Sequence, residues 1–155
     1  MSNQPEQRFD IQRIYTKNIS LESPNSPDVF KNMQNPDISV QLSNDSENLE
    51  GDIFEVRLRV TLTAEYGEKK TMFLAEVEQA GIFELGGFTD EQLEHMKGAY
   101  CPNILFPYVR ETLDNLVVRA GFPPVILAPI NFDAIFAHRR AQLAEEAANS
   151  AETDA

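Results

Sequence analysis

One cysteine and two histidines carry the only thiol and imidazole groups in the sequence. Cys101 follows His95 closely enough to raise the question of a thiol nucleophile with an imidazole base. The setting argues against it, because Cys101 stands beside Pro102 in an apolar stretch, the usual place of a small buried core side chain. Neither His95 nor His138 completes a cysteine and histidine cluster with zinc spacing. Gly81-Ile-Phe-Glu-Leu-Gly86 begins like a phosphate-binding loop, but Gly87-Phe88 stand where a lysine and a hydroxyl residue are required. Asp90 and Glu94 lie one helical turn apart, and carboxylates in a first turn ordinarily complement the helix dipole rather than form an acid/base pair. No catalytic constellation emerges, and no metal or cofactor is implied.

A different kind of chemistry is suggested by Leu74 and its surroundings. Glu76 and Glu78 share its strand face, and Glu22 is placed to join them across a sheet. An apolar anchor with an acidic rim suits a basic peptide or domain, although ordinary sheet core explains a lone leucine equally well. Phe54, Phe132 and Phe136 are similarly open, either core or the walls of a groove for apolar peptide segments.

The elements that must position these residues are readable. From Phe9 the odd positions Phe9, Ile11, Tyr15, Ile19 and Leu21 are apolar, with Arg13 and Lys17 breaking the series, which predicts a long half-buried strand. Ser23-Pro-Asn-Ser-Pro27 ends it. A turn near Val29 to Met33 leads to a second strand carrying Ile38, Val40 and Leu42, and Ser43 to Gly51 reads as a polar loop. In the next pair Phe54, Val56, Leu58, Val60 and Leu62 share a face, Tyr66-Gly-Glu-Lys69 turns the chain, and Phe73, Ala75, Val77, Gln79 and Phe83 face opposite to Met72, Leu74, Glu76 and Glu78.

Thr89-Asp-Glu-Gln92 has the form of a capping box opening a short helix through Lys97. A long central helix is then predicted from Pro102 to Gly121, with Ile104, Leu105, Tyr108, Val109, Leu113, Leu116 and Val117 on one face and a bend near Asn103 to Ile104 caused by Pro107. Asn131 caps a last helix carrying Phe132, Ile135, Phe136, Arg139 and Leu143 on one side. The reading is an α+β domain: an antiparallel sheet of four strands followed by a long central helix and a C-terminal helix, with a flexible N-terminus at 1–8, the folded domain at 9–143 and an acidic flexible tail at 144–155.

Length and charge bound the partners. A chain of 155 residues fits one domain. Its net charge is −12, and setting aside Glu145, Glu146, Glu152 and Asp154 still leaves 21 acids against 13 bases, or −8. Nucleic acid, which demands clustered lysine and arginine, is a poor partner, and a basic protein surface a better one. No apolar stretch reaches membrane-spanning length, and Met1 to Gln7 has no cationic segment leading into an apolar run, so a cytoplasmic location is expected. The single cysteine agrees with a reducing compartment.

Four blocks in order carry a resemblance: Phe9 to Phe30, the strand pair Ile53 to Phe83, Gly98-Ala-Tyr-Cys-Pro-Asn-Ile-Leu-Phe-Pro-Tyr-Val-Arg-Glu111, and Phe122 to Phe136. Together they resemble the SecB family of protein-export chaperones over roughly residues 9 to 143. The resemblance implies a homotetramer, a dimer of dimers, that holds unfolded precursor proteins without ATP and delivers them to the SecA ATPase. It implies that Asn18, Glu22, Leu74 and Glu76 meet the zinc-containing C-terminal segment of SecA, that Ala75, Val77 and Gln79 serve tetramer assembly, and that Val40, Leu42, Phe54, Phe132 and Phe136 line a client groove. Asn18 stands where the family usually has Asp, and Gln34 where relatives often have Trp. Two other classes stay open on the residues alone: a thiol enzyme, which would fail on Cys101→Ser, and an adaptor that binds one folded basic partner and ignores unfolded chains.

Overall fold

The structure, a computed structural model, describes residues 5–31 and 33–153. Four long strands, β1 (Arg8–Glu22), β2 (Asp37–Glu50), β3 (Ile53–Tyr66) and β4 (Lys70–Gly86), form one antiparallel sheet in the order β1-β4-β3-β2. A helical run follows: α1 (Asp90–His95), a π-helical turn (Met96–Tyr100) and α2 (Cys101–Arg119). An extended segment then leads to α3 (Phe132–Thr153). This is the predicted α+β architecture.

The core forms where α2 lies across β4 and β3. Val56, Leu58, Val60, Leu62 and Ala64 of β3 and Phe73, Ala75, Val77, Phe83 and Leu85 of β4 point at the helix, which answers with Leu105, Phe106, Val109, Leu113 and Val117. That stripe follows the three- and four-residue spacing read from the sequence. Tyr108, expected in it, is exposed, and Phe106 takes the inward position. Gly121, at φ +96, ends the run, with its N–H donated to the Val118 carbonyl and that of Phe122 to Val117.

Several expectations are corrected. β1 carries two bulges, between Ile11 and Arg13 and between Thr16 and Asn18, each adding one unpaired residue. The segment between them is therefore inverted: Ile14 and Thr16 face the helices, and Tyr15 faces away. Arg13 and Lys17, the two breaks in the alternation, mark these bulges. Met72, expected beside Leu74, falls at the irregularity between Ala64 and Glu65 of the β3/β4 ladder and is buried in the core. Ser43 to Glu50, expected as a loop, continues β2, because β3 supplies ladder partners as far as Glu50, with one irregularity at Leu49.

The helices differ as well. Pro102 does not open α2. The chain is already helical at Tyr100, and the break in α geometry falls at Met96–Tyr100 rather than near Asn103; α2 runs on through Pro107. Cys101 donates to the Met96 carbonyl, five residues back. Beyond Ala144 the chain stays helical to Thr153 with exposed side chains through Glu152, so the expected tail is unpacked yet helical. Residues 1–4 of the expected flexible N-terminus, and 154–155, lie outside the described residues.

Candidate functional site: two faces of one sheet

The face of the sheet turned away from α2, called here the outer face, collects the acidic residues. On β4 it bears Leu74, Glu76, Glu78 and Ile82. The β1/β4 ladder sets Glu22 across from Leu74, Ser20 across from Glu76 and Asn18 across from Glu78. Residues directly opposed in an antiparallel ladder share a face. Asn18, Glu22, Leu74 and Glu76 thus occupy one patch, as the alternation predicts. Leu74 is half-buried there, with no helix above it.

Cations on β3 and β1 temper this surface. Arg59 reaches Glu76 (Nε to Oε1, 3.2 Å) and Glu78 (Nε to Oε2, 2.9 Å). Arg57 binds Asp45 at 2.7 Å and Glu55 at 2.6 Å. Glu55 also accepts from the Lys17 ammonium at 3.2 Å and from the Tyr15 hydroxyl. Burial pushes the Glu55 carboxyl upward, but these hydrogen bonds outweigh it and hold it below the usual carboxylate range. Burial and the same carboxylate drive the Tyr15 hydroxyl up to about 12. Strand alternation in the sequence puts Glu55, Arg57 and Arg59 opposite the inward-facing apolar residues of β3, but their pairing with Asp45, Glu76 and Glu78 depends on the register with β2 and β4.

The opposite, helix-side face of edge strand β2 is apolar at one end and polar at the other: Ile38, Val40 and Leu42, then Asn44, Ser46 and Asn48. Ile38 and Val40 are each 41% exposed. Asn44 is informative. Pro102 has no N–H to offer the Gly98 carbonyl, and the Asn44 amide donates to it instead at 3.0 Å. The Asn44 carbonyl oxygen in turn accepts from Arg139 of α3 at 2.7 Å. This link ties β2, the π turn and α3 together beside a groove of about 330 Å³ lined by Asn44, Lys97, Gly98, Ile135, Phe136 and Leu143, among others.

The five expected groove residues do not form one pocket. Phe136 borders the groove, its ring edge-on to His95 at 5.6 Å. Phe132 is buried against Phe106, and Phe54 is buried beneath the Lys97 ammonium at 5.3 Å. Val40 and Leu42 lie farther along β2, since Phe54 pairs across the sheet with Asn48, six residues or about 20 Å from Leu42. Together they outline a long open strip rather than a cavity. Gln34 borders a separate depression by the β3/β4 turn with Tyr66 and Lys70.

Ala75 and Val77 are fully closed off within the chain, and Gln79 nearly so, its amide oxygen accepting from Thr16 at 2.9 Å. They offer no surface to a second chain. Cys101 is fully buried, which pushes its thiol up to about 12, and His95 is turned to Asp133 at 2.5 Å. Burial of Cys101 and the pairing of His95 with Asp133 agree with the sequence reading that Cys101 is a core side chain. Asp90 lies in the first turn of α1 behind Thr89, whose capping box with Gln92 is complete, while Glu94 pairs with Lys97 at 3.1 Å. Among the described residues no group of three or more His, Cys, Asp and Glu side chains is arranged to hold a metal ion. No helix among them is long and apolar enough to cross a membrane.

The sheet carries one acidic outer face and one partly uncovered apolar edge, surfaces of the kind that suit extended polypeptide segments. The family model described as preprotein translocase subunit SecB matches residues 2–143, and the chain belongs to the SecB family. It is 53% identical over 147 residues to the protein-export protein SecB of Chromobacterium violaceum, covering 94% of this chain and 97% of that one. To the protein-export protein SecB of Pseudomonas aeruginosa strain PAO1 it is 47% identical over 142 residues, covering 92% and 87%. A similar solved structure is the SecB-like chaperone Rv1957 of Mycobacterium tuberculosis in complex with a ChAD peptide from the HigA1 antitoxin Rv1956, with TM-score 0.68, 21% identity, and coverage of 79% of this chain and 91% of that one. The protein is accordingly a non-enzymatic chaperone of the Sec export system that binds client polypeptides.

Proposed function

We propose that this chain works in the cytoplasm as a homotetramer, a dimer of dimers, that holds precursor proteins unfolded without ATP and hands them to SecA. The carrying observation is the division of labour between the two sheet faces. Leu74, rimmed by Asn18, Glu22 and Glu76, offers the outer face to the zinc-containing C-terminal segment of SecA. Val40 and Leu42 at one end and Phe136 at the other, with Phe54 and Phe132 buried nearer that second end, offer the β2 strip to extended apolar segments of clients, whose backbone can also pair with the edge of β2 left open among the described residues.

Assembly is supported by the opposite edge. β1 is a 15-residue edge strand, and its helix-side residues Phe9, Ile11 and Ile19 are exposed. The Phe9 ring meets the exposed Tyr100 edge-on at 5.3 Å, and Tyr108 and Val118 are exposed on α2. An apolar surface of this extent suits a second copy. Ala75, Val77 and Gln79 would act on assembly indirectly, by holding α2 at the height where Tyr108 and Val118 reach that copy.

Light scattering of a refolding precursor tests the proposal. Aggregation should be suppressed without nucleotide, by a species sedimenting as a tetramer and for several unrelated unfolded proteins. Suppression for none of them, with binding to one folded basic partner only, would establish an adaptor instead.

A further inference from the structure

The outer face is acidic, yet most of its carboxylates already have cations of their own. Arg57, whose side chain is 20% exposed, is fixed among Asp45, Glu47 and Glu55. Arg8 takes Glu84, and Lys17 takes Glu55. Arg59 differs. Its side chain is 53% exposed while its partners Glu76 and Glu78 are 29% and 12% exposed, so the acids are anchored in the sheet and the cation lies over them. Depressions flank it on both sides, one bordered by Gln41, Thr61 and Glu76 and the other by Lys17, Asp45 and Glu78. The guanidinium thus has room to leave without moving the backbone.

We propose that Arg59 is a resident stand-in for the partner's cation: it occupies Glu76 and Glu78 in the free protein and releases them when a cationic segment docks against Leu74. This rests on the outer-face reading given above. The consequence is selectivity. A partner bringing a single positive charge exchanges one ion pair for another and gains little, because in both pairs the cation lies on the solvent side and is screened. A partner bringing several cations gains contacts that Arg59 alone cannot make, including Glu22, which has no cation paired with it among the described residues. Arg59 therefore discriminates against weakly basic surfaces and lets a strongly basic one through.

The test is a titration of the zinc-loaded C-terminal segment of SecA against wild type, Arg59→Gln, the double variant Glu76→Gln/Glu78→Gln, and the triple variant, at low and moderate salt. The Arg59 Nε–H resonance is followed in parallel on wild type. Arg59→Gln is expected to tighten binding about two- to fivefold at low salt, the range of an exposed ion pair. The gain should vanish in the background lacking both carboxylates, and the Arg59 resonance should shift as the segment binds. A gain of the same size in the double-variant background would reduce Arg59 to a distant field effect and overturn the proposal. So would unchanged or weaker binding by Arg59→Gln, or a resonance that stays put while the segment binds. If wild type showed no binding isotherm at all, the outer-face reading itself would fall, a result distinct from the others.

Discussion

Glu22 of β1 stands directly across the ladder from Leu74 of β4, on the face of the sheet that α2 does not cover. Four registers along, Asn18 stands across from Glu78, which Arg59 holds. The bulge at Lys17 comes after Thr16, so Asn18, Ser20 and Glu22 keep uninterrupted alternation with Glu78, Glu76 and Leu74. One apolar side chain is thereby ringed by carboxylates from two strands.

Asn18→Asp adds a charge to this rim. Rim charges act mainly on association rate, so binding of the SecA segment is expected to tighten by about 1 kcal/mol or less, with a steeper salt dependence. Glu76→Lys should weaken binding by more, since repulsion replaces attraction beside Leu74 and Arg59 loses one acceptor. Calorimetric titration at two salt concentrations checks both, and wild-type affinity in Glu76→Lys would remove the outer face from partner binding.

Val77→Asp tests the interior rather than a subunit contact. Val77 is fully buried between β4 and α2, so an unpaired carboxylate there should cost the fold itself about 4 kcal/mol. Thermal unfolding and sedimentation separate the cases: a large drop in Tm is expected, and a dissociated chain with wild-type Tm would contradict it.

Gly98→Ala probes the junction of the π turn with α3. A Cβ at Gly98 would lie 2.6 Å from Cδ2 of Phe136, so the ring and α3 must shift, at a cost of about 1–3 kcal/mol. Hydrogen exchange across residues 132–143 should accelerate, and holding of unfolded clients should weaken if Phe136 grips them. Unchanged exchange would show that α3 is anchored elsewhere.

Cys101 sets a pH dependence. Burial raises its thiol from 9.0 to about 12, so between those values the unfolded chain loses a proton that the folded chain keeps. Its contribution is constant below pH 9, and stability should fall above it with a slope approaching about 1.4 kcal/mol per pH unit. Cys101→Ala should flatten that slope in urea titrations while leaving suppression of client aggregation intact. Rapid alkylation of the native protein at pH 8 would show the thiol to be accessible.

Local physics decided much of this molecule in the sequence alone. The Thr89 and Gln92 capping box needs only four residues, and both of its hydrogen bonds are made. Asn131 caps α3 by accepting from the Ala134 N–H at 3.0 Å. The alternation of β3 and of β4 beyond its bulge assigned Leu74 and Glu76 to one face and Ala75 and Val77 to the other, because strand geometry leaves no alternative. Alanine and glutamate propensity also favours the helix at 144–153, whereas the shortage of large apolar residues there dictates only that it stays unpacked.

Other features required the folded chain. Whether Ser43 to Glu50 is loop or strand depends on β3 lying beside it, since an edge strand facing solvent needs no apolar pattern. The bulges of β1 exist only in its register against β4. Pro102 leaves the Gly98 carbonyl without its helical donor in any sequence, but only the approach of β2 makes Asn44 that donor. Likewise, Arg59 alternates visibly along β3, yet its hold on Glu76 and Glu78 comes from the register between two strands, which is fixed by how the inward faces of both pack beneath α2.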